Sequence, residues 1–283
     1  MPNLFTFGCS YTKFRYPTYS DFLSPYFDDH FNLGIPGSGN RAIFNTVVEN
    51  IDNITEEDFV LIQWSSLLRE DRIFENNEWR GGGIITNTPY YNDEWVSKYF
   101  NPIQQTKELI SYLITLIRLI ESKTKNFKWF YMLEPWESDL MGEPSELPSI
   151  LQEKYILLKN TDLLDSLEKI SIQSSNFLGS IESFISNNSK RNLIYNFDSV
   201  SQKIVYDDHP CPYDHYSFSK HIVKFFESKI FNNSIVNKKN QELAIQWKSF
   251  VNDAEKMLET EKHFFEKNSM MIDYRTNNST IKW

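Results

Sequence analysis

Within its first 64 residues the chain carries three short apolar runs, "LFTF" at 4–7, "HFNLGI" at 30–35 and "DFVLIQW" at 58–64, with helix-patterned segments between them. Strand, helix, strand, helix, strand is the order that builds a parallel sheet, because parallel neighbours need a crossover connection and a helix covers the sheet while making it. The first helix is expected from about Thr18 to Phe27, opened by Pro17. Behind the second run, Ile43, Phe44, Val47, Val48 and Ile51 recur at the spacing of one helical face, with Asn40 standing as the N-cap. The third run is apolar enough to be buried on both faces.

The alternation resumes after an interruption. Residues 104–121, "QQTKELISYLITLIRLIE", place Leu109, Ile110, Leu113, Ile114 and Ile117 on one side of a strong helix, and "FKWFYMLEPW" at 127–136 reads as a fourth strand. Short helices are expected over Ser149–Leu158 and Asp162–Ile170, and "NLIYNF" at 192–197 is read as a fifth strand. The polar, aromatic stretch from about 70 to 102 is too long for an ordinary connection and reads as a lid or substrate loop. The expected architecture is a three-layer α/β/α sandwich around a mostly parallel sheet. It spans 1–232, with an insert at about 70–102 and a helical insert at about 138–190, and 233–283 form a C-terminal helical extension. In that extension Leu243, Trp247, Phe250, Val251, Ala254 and Leu258 line one side of a helix from about Lys239 to Lys267, a surface for packing or oligomerisation.

Composition narrows the function. At 283 residues, 40% of them apolar, the chain can bury a full core. A net charge of −9 without a basic stripe argues against a nucleic-acid partner, since phosphate binding needs clustered Lys and Arg. No apolar run approaches the roughly 18 residues of a membrane span, and no leader is recognised in "MPNLFTF". Two cysteines, Cys9 and Cys211, are too few for a disulfide framework or a zinc site. A cytoplasmic protein is expected.

Ligands of open parallel sheets bind beyond the carboxyl ends of the strands. Three such loops, "GCSYT", "GIPGSGN" and "QWSSLLRED", and the later "DDHPCPYDH" hold the chain's candidate chemistry. Three of the five histidines, His209, His215 and His221, fall in or just after the last segment. A serine, a glycine turn and a late Asp/His pair are what an activated nucleophile requires: a base to take its proton, a carboxylate to orient the base, and donors for the developing oxyanion. Each has a plainer reading. Ser10 serves as a turn serine, His209 opens the last helix of the domain, Trp64 belongs to the core, and Arg69 is an ion-paired loop residue. Glu134 and Glu137 in "LEPWES" also end a strand, but nothing pairs them with a second carboxylate site. "GIPGSGNR" has phosphate-loop spacing, yet Asn40 and Arg41 stand where Lys and Ser or Thr are needed. Cys9 with His209 is a further nucleophile pair.

These segments resemble the SGNH (GDSL-type) hydrolases. "FTFGCSYT" is similar to the family's first block, with Ser10 as nucleophile and Cys9 in the usual Asp position. "NLGIPGSG" is similar to the second, which carries the oxyanion amide to Gly37, and "DDHPCPYDHYSFSKHI" to the last, which carries the base to His209. The third block departs from the pattern: "QWSS" puts Ser65 where the family has an Asn donor, which leaves Asn40 and Ser65 as rival third donors. The carboxylate falls to Asp207, with Asp208 second, because position 206 is Tyr. His215 is read as structural. Arg69 and Trp64 flank the altered block as candidates for an anionic or sugar-like substrate. The resemblance implies hydrolysis of a small-molecule or carbohydrate ester with no metal or organic cofactor. It equally admits an O-acyltransferase using the same residues, or a non-catalytic carbohydrate-binding or assembly protein on the same scaffold.

Overall fold

The computed structural model describes residues 2–14, 16–73, 79–85, 91–136, 149–188, 194–198, 203–207, 209–226 and 228–258. Strand β1 (Leu4–Phe7) is followed by α1 (Tyr19–Leu23), β2 (His30–Asn32), α2 (Asn40–Asn50) and β3 (Phe59–Trp64). A hairpin, β4 (Arg69–Ile73) with β5 (Trp79–Ile84), leads to α3 (Asp93–Tyr99), α4 (Pro102–Glu121) and β6 (Phe127–Tyr131). Then come α5 (Ser149–Lys159), α6 (Leu163–Gln173), β7 (Phe177–Ser180) and α7 (Ile181–Asn188). A second hairpin, β8 (Ile194–Asp198) with β9 (Lys203–Asp207), precedes α8 (Pro212–Val223) and α9 (Ser234–Leu258).

Five strands form one sheet in the order β2, β1, β3, β6, β7, every neighbouring pair parallel. The alternation of side chains splits the core into two layers of packing. Phe59 and Leu61 of β3 face α1, α7 and α8, where they meet Tyr19, Leu23, Ile181, Phe218 and Ile222. Val60, Ile62 and Trp64 face α2, α4 and α6, against Val47, Leu109, Leu113, Leu116 and Leu167. The sheet is thus the middle layer of a three-layer α/β sandwich. Helix α4 starts where its sequence says it should: Pro102 is its first residue, and the Asn101 side chain accepts from the N–H of Ile103 and Gln104. No helix among the described residues is long and apolar enough to cross a membrane.

Three expectations are corrected. "NLIYNF" contributes β8, but that strand pairs antiparallel with β9 in a separate hairpin. The fifth strand of the sheet is the four-residue "FLGS" of β7, within the segment expected to be helical. Asn40 is the first residue of α2, and the N-cap position is Gly39, which has no side chain to cap with. The described residues of the long insert form the hairpin and α3 rather than a loop, and Ile85, Val96 and Phe100 pack with Leu68 and with Leu151 of α5 in a small separate core.

Leu113 is 1% exposed at the centre of the α4 layer. Leu113→Ala is expected to cost about 2–5 kcal/mol of stability, measured by urea unfolding; a loss under ~1 kcal/mol would contradict this packing.

Candidate functional site

The chain leaves β1 in a tight turn in which the N–H groups of Thr12 and Lys13 both donate to Cys9 O, at 3.0 and 3.1 Å. Gln63, fully buried on β3, holds that turn: its Oε1 accepts from the Cys9 N–H at 3.2 Å, the Cys9 thiol at 3.3 Å and the Thr12 hydroxyl at 3.1 Å. Its Nε2 donates to Trp64 O at 2.8 Å. The latch requires Gly8, since a Cβ there would lie 2.1 Å from Thr12 Oγ1 and 2.8 Å from Gln63 Oε1. The Cys9 thiol is consequently turned into the core at 0% exposure. Ser10 Oγ lies 2.7 Å from His209 Nε2, a hydrogen-bond length.

His209 follows β9 and precedes α8, whose start is fixed by Pro212 and by the Asp214 carboxylate accepting from the Cys211 N–H at 3.3 Å. Its ring stacks on Phe14, with centroids 4.2 Å apart and planes 16° from parallel, and leans on Tyr11 at 5.2 Å. Tyr11 is itself fixed by its hydroxyl, which donates to Glu182 on α7 at 2.6 Å. Asp207 ends β9; its side chain, all of Asp208, and Glu137 fall outside the described residues. His215 is buried inside α8, edge-on to Tyr11 at 6.3 Å.

The second loop is tied to the first, because the Ile35 N–H and the Ser38 hydroxyl both donate to Gly8 O, at 2.9 and 3.2 Å. Gly37 adopts φ = 80°, a conformation that favours glycine. Among the described residues nothing accepts from the N–H of Ser10 or of Gly37. The third loop joins through Asn40, whose Oδ1 accepts from the Ser65 N–H at 2.7 Å. A peptide N–H only donates, so this bond fixes the amide and turns Nδ2 away, where no acceptor among the described residues meets it. The Ser65 hydroxyl is buried, and no partner among the described residues meets it. Asn40 is released for this bridge because Asp71 of β4 caps α2 instead, accepting from Gly39 N–H at 2.6 Å and Ala42 N–H at 2.9 Å.

Arg69, 7% exposed, forms no ion pair among the described residues. It donates to Ser38 O at 3.1 Å and toward Met132 Sδ at 3.8 Å. Burial pushes the nearby Cys9 thiol up, but the Arg69 charge and the hydrogen bonds around the sulfur outweigh it, and the net shift is downward. Asp71 is shifted the other way: burial raises it, and the bonds from Ala42 and Gly39 offset only part. Trp64 lies in the core at 1% exposure. Glu134 accepts from the Ser180 and Ser183 hydroxyls, which join β6 to the start of α7. Among the described residues no group of three His, Cys, Asp or Glu side chains is placed to hold a metal ion.

Ser10, Gly37, Asn40, Ser65, Arg69 and His209 therefore converge on the carboxyl ends of β1, β2 and β3, and Trp64 lies in the layer beneath. Gln63, Asp71, Phe14 and Tyr11 were not anticipated from sequence. The signal for Gln63 is a polar residue inside a run expected to be buried on both faces. Asp71 gives no local signal, because the helix that it caps lies elsewhere in the chain.

No protein-family model and no curated protein matches this chain. Among solved structures it is similar to a member of the lipolytic protein G-D-S-L family from Veillonella parvula DSM 2008. The identity is 11% and the TM-score 0.40, over 80% of this chain and 98% of that one.

Gly8→Ala is expected to destabilise the protein by about 1–3 kcal/mol through overpacking against Thr12 and Gln63. Chemical denaturation measures it, and a neutral result would mean that the latch readily gives way.

Proposed function

We propose that the chain hydrolyses a carboxylic ester, such as an O-acyl group on a carbohydrate or another small ester, with Ser10 as nucleophile and His209 as its base. The observation that carries this reading is the 2.7 Å contact between Ser10 Oγ and His209 Nε2, side chains 199 residues apart in sequence. A serine hydroxyl becomes a useful nucleophile only when a base takes its proton, and such a contact suits that transfer.

In the proposed reaction the Ser10 proton passes to His209 Nε2 as Oγ bonds to the carbonyl carbon. The carbonyl π pair moves onto oxygen, and the resulting oxyanion is met by donors that have no other acceptor among the described residues: the N–H of Ser10, the N–H of Gly37 and Asn40 Nδ2. Asn40 is favoured over the Ser65 hydroxyl because its amide is already oriented by the Ser65 N–H. As the tetrahedral species collapses, protonated His209 gives its proton to the departing alkoxide. Water then attacks acyl-Ser10, losing a proton to His209, and as this second tetrahedral species collapses the acyl–Oγ bond breaks, His209 returns its proton to Ser10 Oγ and the acid is released. A sugar hydroxyl in place of that water makes the same residues an acyltransferase. Asp207 is assigned to hold the histidine tautomer, and Phe14 keeps the ring in plane with its task. Cys9 is the weaker nucleophile assignment, since its thiol faces Gln63 and Met132 in the interior.

Purified protein is expected to hydrolyse p-nitrophenyl acetate and to be labelled by a fluorophosphonate. Ser10→Ala loses both, Cys9→Ala retains both, and His209→Ala lowers kcat/KM by about 10²–10⁴-fold. Equal labelling of wild type and Ser10→Ala sinks the serine assignment. A wild type inert to both reagents favours a non-catalytic protein on this scaffold.

A further inference from the structure

The turn that carries Gly37 and leads into Asn40 is held from outside, by one hairpin, at three points. The Gly83 N–H of β5 donates to Gly37 O at 3.0 Å, the Arg69 guanidinium donates to Ser38 O at 3.1 Å, and the Asp71 carboxylate takes the Gly39 and Ala42 N–H groups at 2.6 and 2.9 Å. The Ser38 N–H closes the turn on Ile35 O at 3.0 Å. Every one of these backbone groups is committed, while the Gly37 N–H is left without an acceptor among the described residues.

The grip is close. A Cβ on Gly39 would lie 2.8 Å from Asp71 Oδ2 and 3.0 Å from the Arg69 backbone oxygen, so only glycine lets the hairpin come this near. Both Asp71 oxygens are used, one for each N–H, and the residue is 3% exposed. The hairpin is in turn moored to the helices behind it. Glu70 pairs with Arg72 at 3.2 Å and with Arg41 at 3.8 Å, and Arg41 pairs with Glu108 of α4 at 2.9 Å. A helix is ordinarily capped by its own N-cap side chain. Here that position is Gly39, and the cap is supplied from β4, which makes the location of the turn depend on the hairpin.

We propose that Asp71 is a positioning residue: from β4 it sets where the Gly37 N–H and the Asn40 amide stand relative to Ser10, and so governs stabilisation of the tetrahedral oxyanion without touching substrate. The proposal presupposes the ester-hydrolysis reading above. Its physical basis is that donors aimed at a developing charge act through geometry, and a misplacement of about 1 Å can cost on the order of 10² in rate.

Asp71→Asn keeps the shape of the side chain but offers one acceptor oxygen to two N–H groups. With p-nitrophenyl acetate, kcat is expected to fall about tenfold or more, with KM within about twofold of wild type. Binding of a trifluoromethyl ketone, which forms an oxyanion on Ser10, weakens by the same factor. Leu113→Ala, in the core of the α4 layer and off both hairpin and turn, lowers the melting temperature and leaves kcat unchanged. Arg69→Lys loosens the turn at Ser38 O and shows the same split of kcat from KM; it decides the matter if Asp71→Asn does not fold. A folded Asp71→Asn with unchanged kcat and ketone affinity reduces Asp71 to a helix cap and overturns the proposal; so does unchanged kcat in Arg69→Lys. Failure of the ester-hydrolysis reading is distinguishable, because it shows in the wild type, as no hydrolysis and no fluorophosphonate labelling, and it removes this proposal as well.

Discussion

Strand β1 is hydrogen-bonded on both edges, to β2 through Leu4, Phe5 and Thr6 and to β3 through Leu4 to Phe7, all in parallel register. The arrangement of the site depends on that double pairing. Parallel neighbours end on the same side, so the turns after β1, β2 and β3 must lie next to one another, and Ser10, Gly37 and Ser65 arrive together although their segments are far apart in sequence. A sheet ordered otherwise from the same strands would scatter them. The apolar alternation that fixes the register thus also fixes which polar residues meet.

The junction is built from polar groups inside a layer that is otherwise apolar, and there each buried donor or acceptor without a partner costs about 1–3 kcal/mol. Gln63, Asp71, Asn40 and Ser38 satisfy most of the backbone groups exposed by the two turns. Among the described residues no acceptor meets the N–H of the buried Ser10 or of the half-buried Gly37, beside the Ser10 and His209 pair. A buried N–H such as that of Ser10 is seldom left unpaired without a use for it. The pattern is therefore more specific than a list of residue types: acceptors are supplied nearly everywhere in the turns except where the proposed oxyanion would sit.

Much of the architecture was legible in the sequence. The strands at 4–7, 58–64 and 127–131 and the helices at 40–50 and 102–121 announce themselves by period, because burial on one or both faces leaves a regular trace. Strand β7 does not, since four residues that include a glycine are too short to show alternation. "NLIYNF" misleads for the opposite reason: its alternation is that of a strand, but periodicity says nothing about which partner the strand takes. The meeting of Ser10 with His209 could be expected only from the likeness of whole blocks, because no local pattern relates residues so far apart. Asn40 shows the limit of capping rules. It is a suitable cap by type, but capping needs only a carboxylate at the helix end, and Asp71 reaches that end from another element.

Helix α9 packs Trp247 at 6.1 Å from the ring of Tyr16, Tyr16 lies edge-on to Phe14 at 4.9 Å, and Phe14 stacks on His209. Asn240 of the same helix donates to Phe22 O at 2.8 Å, joining it to α1. The histidine sits on a short loop, but its ring stands at the end of a column of aromatic rings rooted in α9. Its orientation is therefore inherited from the tertiary fold, and the stiffness of the proposed base depends on the packing of α9 as much as on its own backbone.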